Sequence, residues 1–257
     1  MAFDPVERGR AIEKLVCRGV ERKYYRFRPS RFYGGSAVAD AVGCNLACAF
    51  CWSWRANSRP SEVGEFRSPT EVARRLVEIA RSRGYRIVRV SGGEPTLCWS
   101  HLVEVLEQLH RVGKSQALFI LETNGIEIGL SPSRARELAR FNRLLVRVCI
   151  KGCNPESFEK LTGARGEYWW KQLEALRELL RNGVAARPAV TASFCSEGEL
   201  LELCSRLRGI DYELPTHLEL EYVILYPGVA KRLRERGLVP RVAVDPRSWR
   251  LVKGFGE

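Results

Sequence analysis

Three cysteines within one short stretch, Cys44-Asn45-Leu46-Ala47-Cys48-Ala49-Phe50-Cys51, form the most chemically specific pattern in this chain. Their spacing, Cys-x3-Cys-x2-Cys, lets three thiols converge from a single loop on three corners of one inorganic cluster. A [4Fe–4S] cube held by three cysteines keeps one iron open, and that iron can bind a substrate or cosubstrate directly. A structural zinc site asks instead for a fourth thiolate or imidazole close by. Cys17 and Cys98 are the nearest candidates in sequence, and neither is paired with a second ligand at zinc-type spacing. A three-cysteine cluster and a zinc-stabilised nucleic-acid-binding protein are therefore the two readings of the loop, and the spacing favours the cluster.

Such a loop needs a scaffold, and the apolar pattern supplies one. Ala37 to Val42 reads as a strand that feeds the cysteines, and the polar stretch from Trp52 to Arg67 reads as a loop. Ser68-Pro69-Thr70-Glu71 has the form of a capping box, with Val72, Leu76, Ile79 and Ala80 as the stripe of the helix it opens. A second strand, Arg86 to Val90, ends in Ser91-Gly92-Gly93-Glu94-Pro95-Thr96, and Leu102, Val105, Leu106 and Leu109 follow at helical spacing. The third strand, Ala117 to Leu121, runs into Glu122-Thr123-Asn124-Gly125, and Ser131-Pro132 opens the next helix. Leu144 to Ile150 is a fourth strand, leading to Lys151, Gly152 and Cys153. Leu173, Leu176, Leu179 and Leu180 mark a helix before a fifth strand around Ala189 to Phe194. Ser196 with Glu199 caps the helix after it, and Leu218 to Leu225 makes a sixth strand.

Six strand–helix alternations imply parallel strands joined by crossover helices. The expected fold is α/β, a partial (β/α)6 TIM-like barrel over residues 37–230, with a basic N-terminal extension (1–36) and a patternless C-terminal tail (231–257). Chemistry in such barrels sits at the C-terminal ends of the strands, and every polar cluster named above falls at one. The extension interleaves arginines with Tyr24, Tyr25, Phe27, Phe32 and Tyr33. Aromatics among cations can stack bases; the preferred reading is a helix and strand packed against the barrel mouth.

Bulk composition narrows the partners. Lys and Arg number 42 against 30 Asp and Glu, a net charge of +12, which suits an acidic partner such as RNA, a nucleotide or an acidic protein face. A solvated basic surface on a thermophile-like protein accounts for the same numbers. Residues 1–16 carry Asp4, Glu7, Arg8 and Arg10 without the apolar run of a signal peptide. No stretch approaches the roughly 18 apolar residues that a membrane span needs, so a cytoplasmic chain without a membrane partner is expected. Nine cysteines there read as metal ligands plus buried thiols, with the disulfides of hyperthermophile cells as the standing exception.

Together, the cysteine loop with Phe50 before its last thiol and Gly92-Gly93-Glu94-Pro95 after the second strand resemble the radical S-adenosylmethionine (SAM) superfamily. The resemblance implies a [4Fe–4S] cluster on Cys44, Cys48 and Cys51, and SAM chelated at the open iron. Reductive cleavage of SAM to a 5′-deoxyadenosyl radical, which abstracts hydrogen from a substrate, is the implied activity, with a ferredoxin- or flavodoxin-like reductant. It also implies that Gly92, Gly93, Glu94, Thr123 and Asn124 hold the cosubstrate, with Phe50 near the adenine.

Finer likenesses point two ways. Glu122-Thr123-Asn124-Gly125, Cys149-Ile150-Lys151 and Leu161-Thr162-Gly163 resemble segments of the pyruvate formate-lyase activating-enzyme branch, which implies a protein glycine as substrate and Lys151 as partner of the methionyl carboxylate. Cys149 stands where that branch has Asp, and a thiol is a poor ligand for the hard monovalent cation associated with it. Cys51-Trp52-Ser53-Trp54-Arg55 resembles instead the Cys-Trp-Arg of tRNA wybutosine radical enzymes, which implies an RNA substrate. Cys98, Cys153 and Cys195 follow the second, fourth and fifth strands and are candidates for an auxiliary cluster or radical relay, or are simply buried thiols. His101, His110 and His217 lie at no ligand spacing from a cysteine and are expected to be structural.

Overall fold

Local chemistry sets where the helices begin. In the computed structural model, which describes residues 1–111 and 117–256, α1 (Pro5–Val16) starts on Asp4, whose carboxylate accepts from the backbone of Val6 and Glu7. β1 (Cys17–Arg18) and β2 (Glu21–Ser30) follow, then β3 (Ser36–Ala41). The stretch expected to be loop holds α2 (Trp54–Ser58) and β4 (Glu65–Arg67). Ser68 caps α3 (Pro69–Arg83), accepting from the Glu71 amide at 3.2 Å. Only that half of the expected capping box forms, because the Glu71 carboxylate pairs with Arg67 and Arg75.

β5 (Ile87–Ser91), α4 (Trp99–Arg111) and β6 (Leu118–Thr123) come next, followed by the short α5 (Ile126–Leu130) and α6 (Pro132–Leu138). β7 (Leu144–Ile150), α7 (Pro155–Thr162), α8 (Trp169–Arg181), β8 (Ala186–Thr191) and α9 (Glu197–Arg208) continue the alternation. Reciprocal capping boxes open α7 and α9, Asn154 with Ser157 and Ser196 with Glu199. The described chain finishes with β9 (Glu219–Glu221), α10 (Pro227–Glu235), β10 (Val242–Val244) and β11 (Leu251–Lys253); Glu257 of the expected tail lies outside it.

The main sheet runs β1-β2-β3-β5-β6-β7-β8-β9 from edge to edge, with β4 paired to β2. Six strands, β3 and β5 to β9, are parallel in sequence order, while β1, β2 and β4 pair antiparallel. This is the expected partial (β/α)6 architecture. The N-terminal extension is part of the sheet: α1 and β2 are the expected helix and strand, and the 36/37 boundary falls inside β3. The sixth strand is shorter than expected, because after Glu221 the backbone leaves the sheet and Val223 and Leu225 bond to Val244 instead.

Helices α3, α4 and α8 bury Val72, Leu76, Leu102, Val105, Leu173 and Leu176 against one face of the sheet, each worth about 1.5–3 kcal/mol when fully removed from water. A second, smaller apolar cluster joins Val229 and Leu233 of α10 and Ala243 of β10 to Ala49 of the cysteine loop. The C-terminal segment expected to be a patternless tail therefore folds over the loop, and the 230/231 boundary lies within α10.

Candidate active site

Gly43 turns the chain out of β3 and into the cysteines with φ +86°, a conformation that L side chains rarely adopt. Both sides of the loop's backbone are then satisfied. Ala47 and Ala49 donate their amides to the carbonyls of Thr162 and Leu161 at 3.1 and 2.9 Å. From the other side, Arg236 donates to Ala47 O at 3.0 Å, and Arg232 to Ala49 O at 3.1 Å and Cys51 O at 2.5 Å. Cys44, Cys48 and Cys51 all carry free thiols, Cys48 buried and the other two half-buried. Leu46 N lies 3.4 Å from Cys44 Sγ, and Asn57 Nδ2 donates to Cys51 Sγ at 3.3 Å and Gly92 O at 3.3 Å. Burial pushes all three thiols up from their ordinary values, with Glu94 and Cys48 adding to the push on Cys44. Any metal that these thiols were to take up would therefore displace protons.

The glycines after β5 serve an unusually close approach. A Cβ on Gly93 would stand 2.1 Å from Gly43 O, and the backbone there locks onto β3, with Gly93 N to Ala41 O and Glu94 N to Gly43 O both at 2.8 Å. Glu94 is fully enclosed. Its Oε1 accepts from Thr96 N, Thr96 Oγ1 and Thr123 Oγ1 (3.2, 2.7 and 2.6 Å), and its Oε2 from Asn124 N at 2.8 Å. Asn124 in turn donates to Asn45 Oδ1 at 2.7 Å. Beneath them the buried Arg22 donates to the carbonyls of Glu94 (2.7 Å) and Pro95 (3.0 Å). Three of the residues expected at the cosubstrate, Glu94, Thr123 and Asn124, are thus bound to one another as a brace between β5, β6 and the cysteine loop.

Past β7 the chemistry changes from braced to charged. Lys151 Nζ lies 5.9 Å from the Phe50 ring centroid and makes no ion pair among the described residues. Burial alone would push its ammonium down, but Cys149, Glu221 and Cys48 around it push it up, and it stays charged. Gln172 of α8 holds the backbone in place, accepting from Lys151 N at 3.1 Å and donating to Asn124 O and Cys149 O at 2.7 and 3.1 Å. Register puts Glu122 opposite Arg147 and Thr191 opposite Glu221, on the face that Cys149 shares. Arg147 reaches Glu219 at 2.7 Å, Glu221 at 2.9 Å and Cys149 Sγ at 3.2 Å. Burial holds the Cys149 thiol protonated, at about 11, against the pull of Arg147 and Lys151. Elsewhere on this face Arg89 and Tyr33 share Glu122 (2.7 and 2.8 Å), and Arg26 and Arg28 share Asp40 at 2.7 Å each.

Two expectations need correction. Cys17 pairs with Cys98 and Cys153 with Cys195 in disulfides, with Cα–Cα separations of 5.9 and 6.0 Å, so these cysteines are not available for an auxiliary cluster or a relay. Each bridge joins segments distant in sequence, which spacing alone does not reveal. The zinc reading asks for a fourth ligand near the loop, and the two nearest cysteines in sequence, Cys17 and Cys98, are bound to each other. His101 is structural as expected, bonded to Tyr24 Oη at 2.9 Å and Val20 O at 2.7 Å. Sequence reasoning missed Arg22, Asn57, Gln172, Arg232 and Arg236. Gln172 alone left a signal, a polar residue inside the apolar stripe of Trp169, Leu173 and Leu176.

Three free thiols with amide donors beside two of them, and with guanidinium and ammonium groups around the loop, form a donor set suited to an anionic iron–sulfur cluster. Residues 39–199 match the family described as the Radical SAM superfamily. The chain belongs to that superfamily. Radical SAM enzymes use a [4Fe–4S] cluster and SAM, and this radical SAM chain is an enzyme of that class. A GTP 3′,8-cyclase of Petrotoga mobilis is 26% identical over 146 residues, covering 55% of this chain and 41% of the relative. A GTP 3′,8-cyclase of Helicobacter pylori is 24% identical, covering 81% and 60%. The radical SAM chain thus spans about half the length of these curated relatives. Streptococcus suis SuiB bound to S-adenosylmethionine shares the fold, with TM-score 0.53 at 19% identity over 66% of this chain and 36% of that one. The activating-enzyme branch expected from the β6 and β7 motifs is not the one these relatives name. No described helix is long and apolar enough to cross a membrane.

Proposed function

We propose that Cys44, Cys48 and Cys51 hold the cluster and that SAM lies between it and Lys151, with Phe50, Gly92, Gly93, Thr123 and Asn124 lining the seat. When bound, the cluster supplies the electron that cleaves SAM to a 5′-deoxyadenosyl radical, the agent of hydrogen abstraction. The residues here position and shield. Glu94 fixes the β5 and β6 ends through its four accepted hydrogen bonds, and Gln172 fixes the backbone of Lys151. The observation that carries the reading is Lys151 itself, a cation beside Cys48 and Phe50 with no ion-pair partner among the described residues. A charge so placed is stabilised by an incoming carboxylate. Replacing Lys151 by Met is expected to weaken SAM binding by at least about tenfold, or about 1.4 kcal/mol, while the chain still assembles its cluster. Unchanged SAM affinity in calorimetry would remove Lys151 from the site.

The substrate reading follows from charge. Four arginines on the inner face (Arg26, Arg28, Arg89 and Arg147) are matched by Asp40, Glu122, Glu219 and Glu221. A polyphosphate such as the GTP named for the relatives would meet carboxylates there, and the segments in which those relatives exceed this chain are not matched by it. A polar substrate of low net charge, such as a glycine in a partner protein, suits the balance, and it agrees with the likeness of β6 and β7 to the activating enzymes. The partner is expected to show a glycyl-radical doublet by EPR after incubation with SAM and a reductant. A second reading, RNA, is favoured by Trp52, which is exposed and has the guanidinium carbons of Arg26 and Arg28 at 5.8 and 5.7 Å from its ring centroid. Retention of RNA that falls steeply with salt would select it over the protein substrate.

A further inference from the structure

The cysteine loop is held from two sides, and the two sides differ in charge. Leu161 and Thr162 offer neutral carbonyls to the amides of Ala49 and Ala47. α10 offers two guanidinium groups to three carbonyls of the same loop, those of Ala47, Ala49 and Cys51. Both guanidiniums also lie over the Trp54 ring, Arg232 at 4.8 Å and Arg236 at 5.9 Å from its centroid. Neither makes an ion pair with a carboxylate among the described residues, unlike Lys231 on the same helix, which pairs with Glu235. The helix is fixed in this position because Val229 and Leu233 bury themselves against Ala49, Val223, Leu225 and Ala243.

We infer that Arg232 and Arg236 are positioning residues that close the loop from behind and favour its one-electron reduction. The inference rests on the cluster being held by Cys44, Cys48 and Cys51. Three thiolates and a [4Fe–4S] core carry net negative charge, and reduction adds one more electron to it. A cation close to the loop lowers the free energy of the more negative state more than that of the less negative one, and the effect is largest where water is excluded. Net charge and hydrogen bonding around the sulfurs are among the factors that set the potential of such clusters. Arg232 bonds the carbonyl of Cys51 directly and lies half-buried over the Trp54 ring. The hydrogen bonds serve geometry, and the two unmatched charges serve the electron.

Arg232→Gln with Arg236→Gln removes both charges and leaves a shorter neutral donor at each place; Arg232→Lys with Arg236→Lys keeps both charges. Each variant is reconstituted with iron and sulfide, and the reduced fraction is read by EPR in a potentiometric titration without SAM. The Gln pair is expected to lower the reduced-to-oxidised ratio at a fixed solution potential at least about tenfold, which for one electron is a shift of about 59 mV. The Lys pair is expected to restore most of it. An unchanged ratio in the Gln pair, or an equal loss in the Lys pair, overturns the inference, the latter by showing that shape rather than charge matters. Should the Gln pair retain no iron, Arg236→Gln alone decides, since that side chain is exposed: it must lower the ratio by a smaller amount, and no change overturns the inference. If the unaltered chain assembles no [4Fe–4S] cluster, the failure lies with the cluster assignment and not with α10.

Discussion

The β3–β6 half of the active face and the β7–β9 half are built on opposite plans. In the first, Glu94 fills its oxygens with bonds from Thr96, Thr123 and Asn124, and Arg22 ties the same turn to β2. In the second, Lys151 makes no ion pair among the described residues, and Glu219 and Glu221 are about two-fifths exposed. Buried polar atoms without a hydrogen-bond partner among the described residues occur in both halves, among them Arg22 Nε, Asn45 Nδ2, Asn57 Oδ1 and Arg89 Nε in the first and Thr191 Oγ1 in the second. The contrast separates two duties. A carboxylate filled by its neighbours, as Glu94 is, sets geometry and gains little from a ligand, whereas an ammonium left without an ion pair, as Lys151 is among the described residues, has free energy to gain when a carboxylate arrives.

The sharpest way to break this contrast is Glu94→Gln. An amide cannot accept from all four donors, and the buried brace loses its charge, so the metal-free chain is expected to lose at least about 3 kcal/mol in urea unfolding. If the metal-free chain is unaffected and only SAM binding suffers, Glu94 belongs with the ligand-facing half. A second test uses pH. Burial, with Arg22 nearby, holds His101 neutral down to about 4, against an ordinary value of 6.5. Between those values the unfolded chain binds the extra proton and the folded one does not, so stability rises with pH across the window. Lowering the pH from 6.5 to about 4 is expected to remove up to about 3 kcal/mol through this residue, and His101→Gln should flatten the urea midpoint over that range. A slope that persists in the variant would place its origin elsewhere. The smallest effect belongs to the other half: Thr191→Val removes a hydroxyl without a partner and should leave the metal-free chain unharmed or up to about 1 kcal/mol more stable. A loss as large as that of Glu94→Gln would show that the Thr191 hydroxyl is as firmly bound in the fold as the Glu94 carboxylate.

Much of this was readable from residue order, for reasons that differ by residue. The parallel alternation, the Ser196–Glu199 capping box and the cysteine spacing are local patterns that survive into the structure, whereas at Ser68 only the serine half of the box forms, because Glu71 finds arginines instead. Lys151 was readable because it ends an apolar strand beside other motif residues. Glu94 was located but its surroundings were not, since no spacing rule says whether a carboxylate will face a ligand or be filled by its neighbours. Arg22, Arg232 and Arg236 were hidden because a single arginine in an arginine-rich chain carries no local mark; only contacts across some 70 residues for Arg22 and some 180 for the other two distinguish them. The shortened β9 and the two disulfides were hidden for the same reason, being decided by chain segments far apart.

The bridge from Cys153 to Cys195 encloses α7, α8 and β8 in a loop of sequence separation 42. Inside that loop lie both carbonyls that hold the cysteine stretch from the front and the glutamine that steadies Lys151. Closing a loop of that length is worth about 4 kcal/mol in the chain-entropy model. A dithiol added to keep the thiols of Cys44, Cys48 and Cys51 reduced would therefore also loosen the frame on which they are mounted, and phosphine-free, thiol-free anaerobic handling is the gentler way to keep this protein intact.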